Sequence, residues 1–191
     1  MSFDLEMLKD LELVSACARG ERAAQREFYD RFSGRMLSVC RRYVRTTAEA
    51  EDVLQEGFLK AFQHIRTFRF ESSIAGWLTT IMVRTALNSQ RQKLYMMPMV
   101  DVRHAGLHDS EPSVISAMSA EQLIALIQEL PDGCRVVFNL YALEGYTHQE
   151  IANMLEVSEG TSKSQYSRAR QLLREKILKL NVVKAYGKTG V

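Results

Sequence analysis

Turn punctuation is almost missing from this chain. It has three prolines and ten glycines in 191 residues, too few for an architecture of many short strands joined by tight turns. Leu, Glu, Arg, Gln, Ala and Met fill the space instead, and these side chains lose least freedom in a helix. The expected fold class is therefore all-α. Two of the three prolines, Pro98 and Pro112, fall in one stretch, residues 96–117, where no hydrophobic period is sustained. That stretch is the expected linker, flexible and between two small helical domains, residues 1–95 and 118–191.

The remaining composition excludes several classes. No run approaches the roughly 18 apolar residues needed to span a membrane, and the acidic start MSFDLEMLKDLE is unlike a basic-then-apolar signal peptide. No membrane insertion and a cytoplasmic location are expected. Cys17, Cys40 and Cys134 are too few and too scattered for a disulfide framework or a metal knuckle, and read as small buried hydrophobes.

A formal net charge of +2 hides strong local imbalance. Residues 19–45 carry eight arginines against three acids, and residues 46–56 carry Glu49, Glu51, Asp52 and Glu56 with no base. Seven acids against Arg135 occupy residues 118–159, whereas residues 160–191 hold eight bases and only Glu175. The basic end is of the kind that attracts phosphate, although a solvated tail on a terminal helix would look the same.

Hydrophobic spacing predicts helices over 11–18, over 23–43 with Phe28, Phe32, Met36, Val39, Cys40 and Tyr43 inward, over 47–66, and from Ser72 or Ser73 to about residue 92. In the second unit, helices are expected over 120–130 and 132–144, the latter closed by Gly145. Thr147, three residues before Glu150, forms a capping box that opens a two-turn helix to Leu155. Glu156-Val157-Ser158 follows, then a long helix from 159 or 160 to about 180.

A two-turn helix, a short turn with one apolar plug and a longer polar helix form the pattern of a helix-turn-helix. Ile151, Ala152, Leu155 and Val157 can pack inward, and Tyr166, Ala169, Leu173, Ile177 and Leu180 mark the buried face of the long helix. Thr161, Lys163, Ser164, Ser167, Arg168, Gln171 and Arg174 are left outside, a set suited to base edges and phosphates. An ordinary helical hairpin with a wet face is the plainer alternative.

The segment GYTHQEIANMLEVSEGTSKSQYSRARQLLREKI resembles the DNA-binding C-terminal domain of bacterial RNA polymerase sigma factors. It is most similar to the two-domain extracytoplasmic function, or group four, sigma factors. AEDVLQEGFLKAFQHIRTFRFESSIAGWLTTIMVRTALNSQRQ is similar to the second conserved region of the same family. The resemblance implies a factor that binds core RNA polymerase through its β′ coiled coil and β flap, recognises promoter DNA, opens it and starts transcription. It also implies an anti-sigma factor as an inhibitory partner.

Residue by residue, Asp52, Gln55, Glu56 and Leu59 lie opposite the buried face of the 47–66 helix, an apolar centre in a polar rim. By resemblance this face docks on the β′ coiled coil. Phe68, Arg69, Phe70 and Trp77, followed by Arg84, Asn88 and Arg91, mix rings and cations as single-strand binders do. By resemblance Phe68, Arg69, Trp77, Arg84, Asn88 and Arg91 hold the minus-ten element, and Thr161, Lys163, Ser164, Ser167 and Arg168 read the minus-thirty-five element. Arg84 stands where many relatives have Asn, Ser162 where a common pattern has Val, and Gln165 where it has a base. Ser162 faces inward, so a loosely packed helix start is expected.

No catalytic constellation is present. His104, His108 and Asp109 have metal-like spacing but lie in the linker, and there is no phosphate loop or nucleophile elbow. No cofactor, no metal site and no enzyme activity are expected. A dimeric helix-turn-helix regulator is the alternative function; it would leave the acidic face and the aromatic segment unused.

Overall fold

A computed structural model describes residues 2–95 and 119–186. The chain divides into two units, Met1–Arg91 and Gln92–Val191. The expected linker, 96–117, lies outside the described residues, as do His104, His108 and Asp109. Every regular element among the described residues is helical.

The first unit runs α1 (Ser2–Ala18), α2 (Arg22–Tyr43), α3 (Thr47–His64), a 3-10 turn (Ile65–Thr67) and α4 (Ile74–Tyr95). All six stripe residues expected inward on α2 are buried. Phe28 sits at their centre, with ring centroids 4.9 Å from Phe32, 5.8 Å from Phe62 and 6.4 Å from Phe58. Burying such a ring is worth about 1.5–3 kcal/mol, so this cluster ties α2 firmly to α3. α1 reaches nine residues further toward the N-terminus than the expected 11–18 helix, and an Asp10–Arg31 ion pair of 2.6 Å joins it to α2.

Thr46 caps α3. Its hydroxyl accepts from the Glu49 N–H at 3.1 Å, and the Glu49 carboxylate accepts from the Thr46 N–H at 3.1 Å. The expected 47–66 helix gives way after His64 to the tighter turn, where the Thr67 hydroxyl donates to the His64 carbonyl at 2.7 Å. The Arg66 guanidinium then donates to the Ala18 carbonyl at 3.0 Å, covering the end of α1. α3 meets α4 where Gly57 faces Met82: a Cβ at Gly57 would lie 2.3 Å from the Met82 sulfur.

The second unit runs α5 (Ala120–Gln128), α6 (Asp132–Phe138), a π turn (Asn139–Leu143), α7 (His148–Leu155) and α8 (Glu159–Tyr186). Its core joins Leu126, Ile127, Leu130 and Cys134 to Ala169 and Leu173 of α8. The helix expected over 132–144 is continuous in direction but widens into the π turn, and Gly145 follows with a positive φ of 81°. α8 extends beyond the expected end near 180. Leu180, expected on its buried face, is exposed, and among the described side chains of α8 Ile177 is the last packed on the core cluster.

Arg135 was the one base in the acidic stretch, and it is wholly buried. Its guanidinium pairs with Asp132 at 2.6 Å and donates to the Gln128 carbonyl at 3.3 Å. This pair neutralises one acid with the only base of residues 118–159, so the six other acids of the stretch are left without a base from within it. The three cysteines are free and buried, and burial pushes their thiols up to about 11, 12 and 11 for Cys17, Cys40 and Cys134. Thiols held in the protonated form are poor targets for oxidation.

Candidate functional site

Three surfaces carry the residues singled out in the sequence. On α3, Asp52, Gln55, Glu56, Leu59 and Gln63 are all exposed. Leu59 is 63% exposed, an apolar side chain offered to solvent. Beside them Lys60, absent from the expected set, pairs with Glu56 at 2.6 Å and donates to the Thr85 hydroxyl of α4 at 3.4 Å. Its i,i+4 spacing from Glu56 was the available signal.

The second surface begins in the loop after α3. Phe68 packs against Phe70 at 4.7 Å and Trp77 at 5.2 Å, so three rings gather beside the start of α4. Phe70 takes a left-handed backbone, φ 57°, a conformation a bulky residue holds only when its surroundings impose it. It keeps its ring partly exposed and belongs with the expected residues Phe68 and Trp77. Trp77 is half-buried, between core and platform.

The Ser73 hydroxyl accepts from the Gly76 N–H at 3.1 Å and so starts α4 directly after this loop. Trp77, Arg84 and Asn88 recur at helical spacing along one face of α4. Arg69, Arg84 and Asn88 are exposed, and the Arg91 side chain lies outside the described ones.

The third surface is the α7–α8 pair. Thr147 caps α7 through the expected box: its hydroxyl accepts from the Glu150 N–H at 3.2 Å, and the carboxylate accepts from the Thr147 N–H at 2.8 Å. The Thr147 N–H and, at 2.8 Å, the Thr147 hydroxyl both donate to the Glu150 carboxylate and hold it below its ordinary range. α7 ends at Glu156, whose left-handed backbone turns the chain, and Val157 N–H donates to the Ala152 carbonyl at 3.0 Å. Ser158 then caps α8, accepting from the Thr161 N–H at 3.0 Å.

On α8, Lys163 is exposed and pairs with Glu159 at 2.7 Å, which holds the Glu159 carboxyl below its ordinary range. Thr161, Ser164, Ser167 and Arg168 are half-buried. The Ser164 hydroxyl donates to the Thr161 carbonyl at 3.0 Å, and Arg168 donates to Gln171 at 3.2 Å. Gln165 accepts from the Cys134 thiol at 3.0 Å, so its amide turns toward α6.

The loosely packed start expected at Ser162 is not what is found. Ser162 is wholly buried, and its hydroxyl shares a 2.9 Å hydrogen bond with Nδ1 of His148. Nothing in the linear spacing announced that partner. Among the described residues no cluster of His, Cys, Asp or Glu could hold a metal ion, and no helix is long and apolar enough to cross a membrane.

The Sigma-70 region 2 family model matches residues 28–94, and the Sigma-70, region 4 model matches residues 120–173. The chain is 31% identical over 179 residues to the RNA polymerase sigma-H factor of Pseudomonas aeruginosa, covering 86% of this chain and 92% of that one. It is 29% identical over 184 residues to the ECF RNA polymerase sigma-E factor of Haemophilus influenzae, covering 90% and 97%. Among solved structures, the sigma factor RpoE of Bartonella quintana, in co-crystal with the anti-sigma factor NepR, is 20% identical with 80% and 97% coverage and a TM-score of 0.47, too loose to support more.

A helical chain that joins a region 2 unit to a region 4 unit with a helix-turn-helix is a transcription initiation factor. The protein belongs to the RNA polymerase sigma factors, in their extracytoplasmic function group.

Proposed function

We propose that the chain binds core RNA polymerase through Asp52, Gln55, Glu56 and Leu59 and directs it to promoters, where it recognises both elements and opens the DNA. The carrying observation is Leu59, exposed among polar residues on the helix that packs beside α4. A dimeric DNA-binding regulator would have no use for that face.

In this reading residues 1–95 hold the polymerase-binding and minus-ten surfaces, and residues 118–191 hold the minus-thirty-five surface, joined by the 96–117 linker. Rings at Phe68, Phe70 and Trp77 stack on unpaired bases while Arg69, Arg84, Asn88 and Arg91 follow the strand. Thr161, Lys163, Ser164, Ser167 and Arg168 enter the major groove as the start of a recognition helix. The β flap engages the second unit, and an anti-sigma protein competes for these surfaces in the cytoplasm. The chain itself catalyses nothing; RNA synthesis stays with the core enzyme.

The test is to mix the full chain with purified core polymerase and measure co-elution, then promoter-dependent transcripts. Co-elution with new start sites is expected. Retained duplex binding without core binding would overturn the reading in favour of the dimeric regulator.

A further inference from the structure

Ser162 stands in the first turns of α8, immediately before Lys163 and Ser164. A hydroxyl buried without a partner is costly, and Ser162 meets that cost through His148, the first residue of α7. The bond therefore crosses between the two helices of the helix-turn-helix. Its imidazole is clamped in turn. Tyr141 of the π turn stacks on it at 4.3 Å with planes 13° apart, and Tyr166 of α8 meets it edge-on at 5.8 Å. Tyr141 and Tyr166 touch at 4.5 Å, closing a ring of contacts through three elements.

A hydrogen bond weakens steeply when its angle is lost, whereas apolar contact tolerates sliding. This bond thus fixes the rotation of α8 about its own axis. Side-chain tips lie about 5–6 Å from a helix axis, so a turn of about 10° would carry Lys163 or Ser164 about 1 Å from its place. Base-edge hydrogen bonds do not survive such a shift. Burial and the neighbouring Lys163 ammonium, opposed by Glu159, hold His148 below its ordinary pKa. The neutral ring can share the bond with the hydroxyl in either tautomer.

We propose that the His148–Ser162 bond, braced by Tyr141, is the positioning device that sets how α8 presents Lys163, Ser164 and Ser167 to duplex DNA. His148 and Ser162 are thereby specificity-determining residues that act through α8 without touching the bases. The proposal rests on α8 being the recognition helix.

The experiment compares selection of random-sequence duplex DNA by the full chain assembled with core polymerase, reading the ratio of affinity for the selected sequence to that for unselected duplex. Ser162→Ala and His148→Phe are each expected to lower this ratio about tenfold, the scale of one lost base contact, with unselected binding within about twofold. The double variant should lose no more than either single one, as coupled residues do. His148→Asn, which keeps a polar atom near the Nδ1 position, should retain most of the ratio and guards against a folding defect.

An unchanged ratio in Ser162→Ala, additive losses in the double variant, or equal losses of selected and unselected binding would overturn the bracket. If the unaltered holoenzyme selects no sequence, the recognition reading of α8 fails and the bracket fails with it.

Discussion

On the outer face of α3 the proposed contact side chains are exposed, whereas on α8 all of them but Lys163 are half-sunk and several are already partnered. Leu59 and Asp52 are exposed on α3, which the aromatic cluster holds to α2, and Arg84 and Asn88 are exposed on α4. Arg168 is bonded to Gln171, Ser164 to the Thr161 carbonyl, and exposed Lys163 is held by Glu159. The difference suits the two tasks proposed for α3 and α8. A protein partner needs a desolvatable apolar centre offered outright, while groove reading needs polar groups fixed in direction before contact.

Substitutions can break this comparison. The largest effect is expected from Phe28→Ala, which removes the centre of the aromatic cluster and should cost the first unit about 3–5 kcal/mol. Calorimetry should show that unit's transition collapse while the second unit's transition stays, and a joint shift would mean the units are not independent. Next, replacing Asp52, Glu56 and Leu59 together by Ala should weaken core-polymerase binding by about 2 kcal/mol or more, the scale of a hot spot, with an unchanged melting curve. Unaltered affinity in a pull-down titration would place the docking face elsewhere.

The same cap occurs in both units, which sharpens the contrast. Thr46→Ala and Thr147→Ala should each cost about 1 kcal/mol of stability. Only Thr147→Ala should also weaken duplex binding by the isolated chain, because its box starts the helix that supports α8. The smallest effect is expected from Glu159→Gln. Releasing Lys163 from an exposed, solvent-screened pair should raise duplex affinity by up to about a few-fold at low salt. If affinity falls instead, Glu159 positions Lys163 for its phosphate.

Much of the first unit could be read in advance because its helices are periodic. The stripe from Phe28 to Tyr43 and the opposing face of α3 both follow directly from 3.6-residue spacing. The start of α1 was missed because its first residues carry acids among scattered apolar side chains and no sustained stripe. The π turn was missed because a slip in hydrogen-bonding register leaves no mark on composition. Expected contact residues on α8 were placed on the outer face, yet Ser162 and Gln165 show what spacing does not reveal. Their partners, His148 and Cys134, lie 14 and 31 residues away on other helices. Lys60 escaped for another reason: it sits at the seam between α3's buried and exposed faces, where periodicity assigns no role.

The contact of Gly57 with Met82 carries a consequence for how the first unit's two surfaces are spaced. Gly57 follows Glu56 directly, and Met82 lies two residues before Arg84. The gauge between the proposed docking face and the proposed strand-holding face is set at a point where α3 offers no side chain at all. Any larger residue there would force the Met82 thioether aside or act as a shim, lifting α4 away while leaving every contact residue intact. A factor altered only at that position would keep both grips and lose the distance between them.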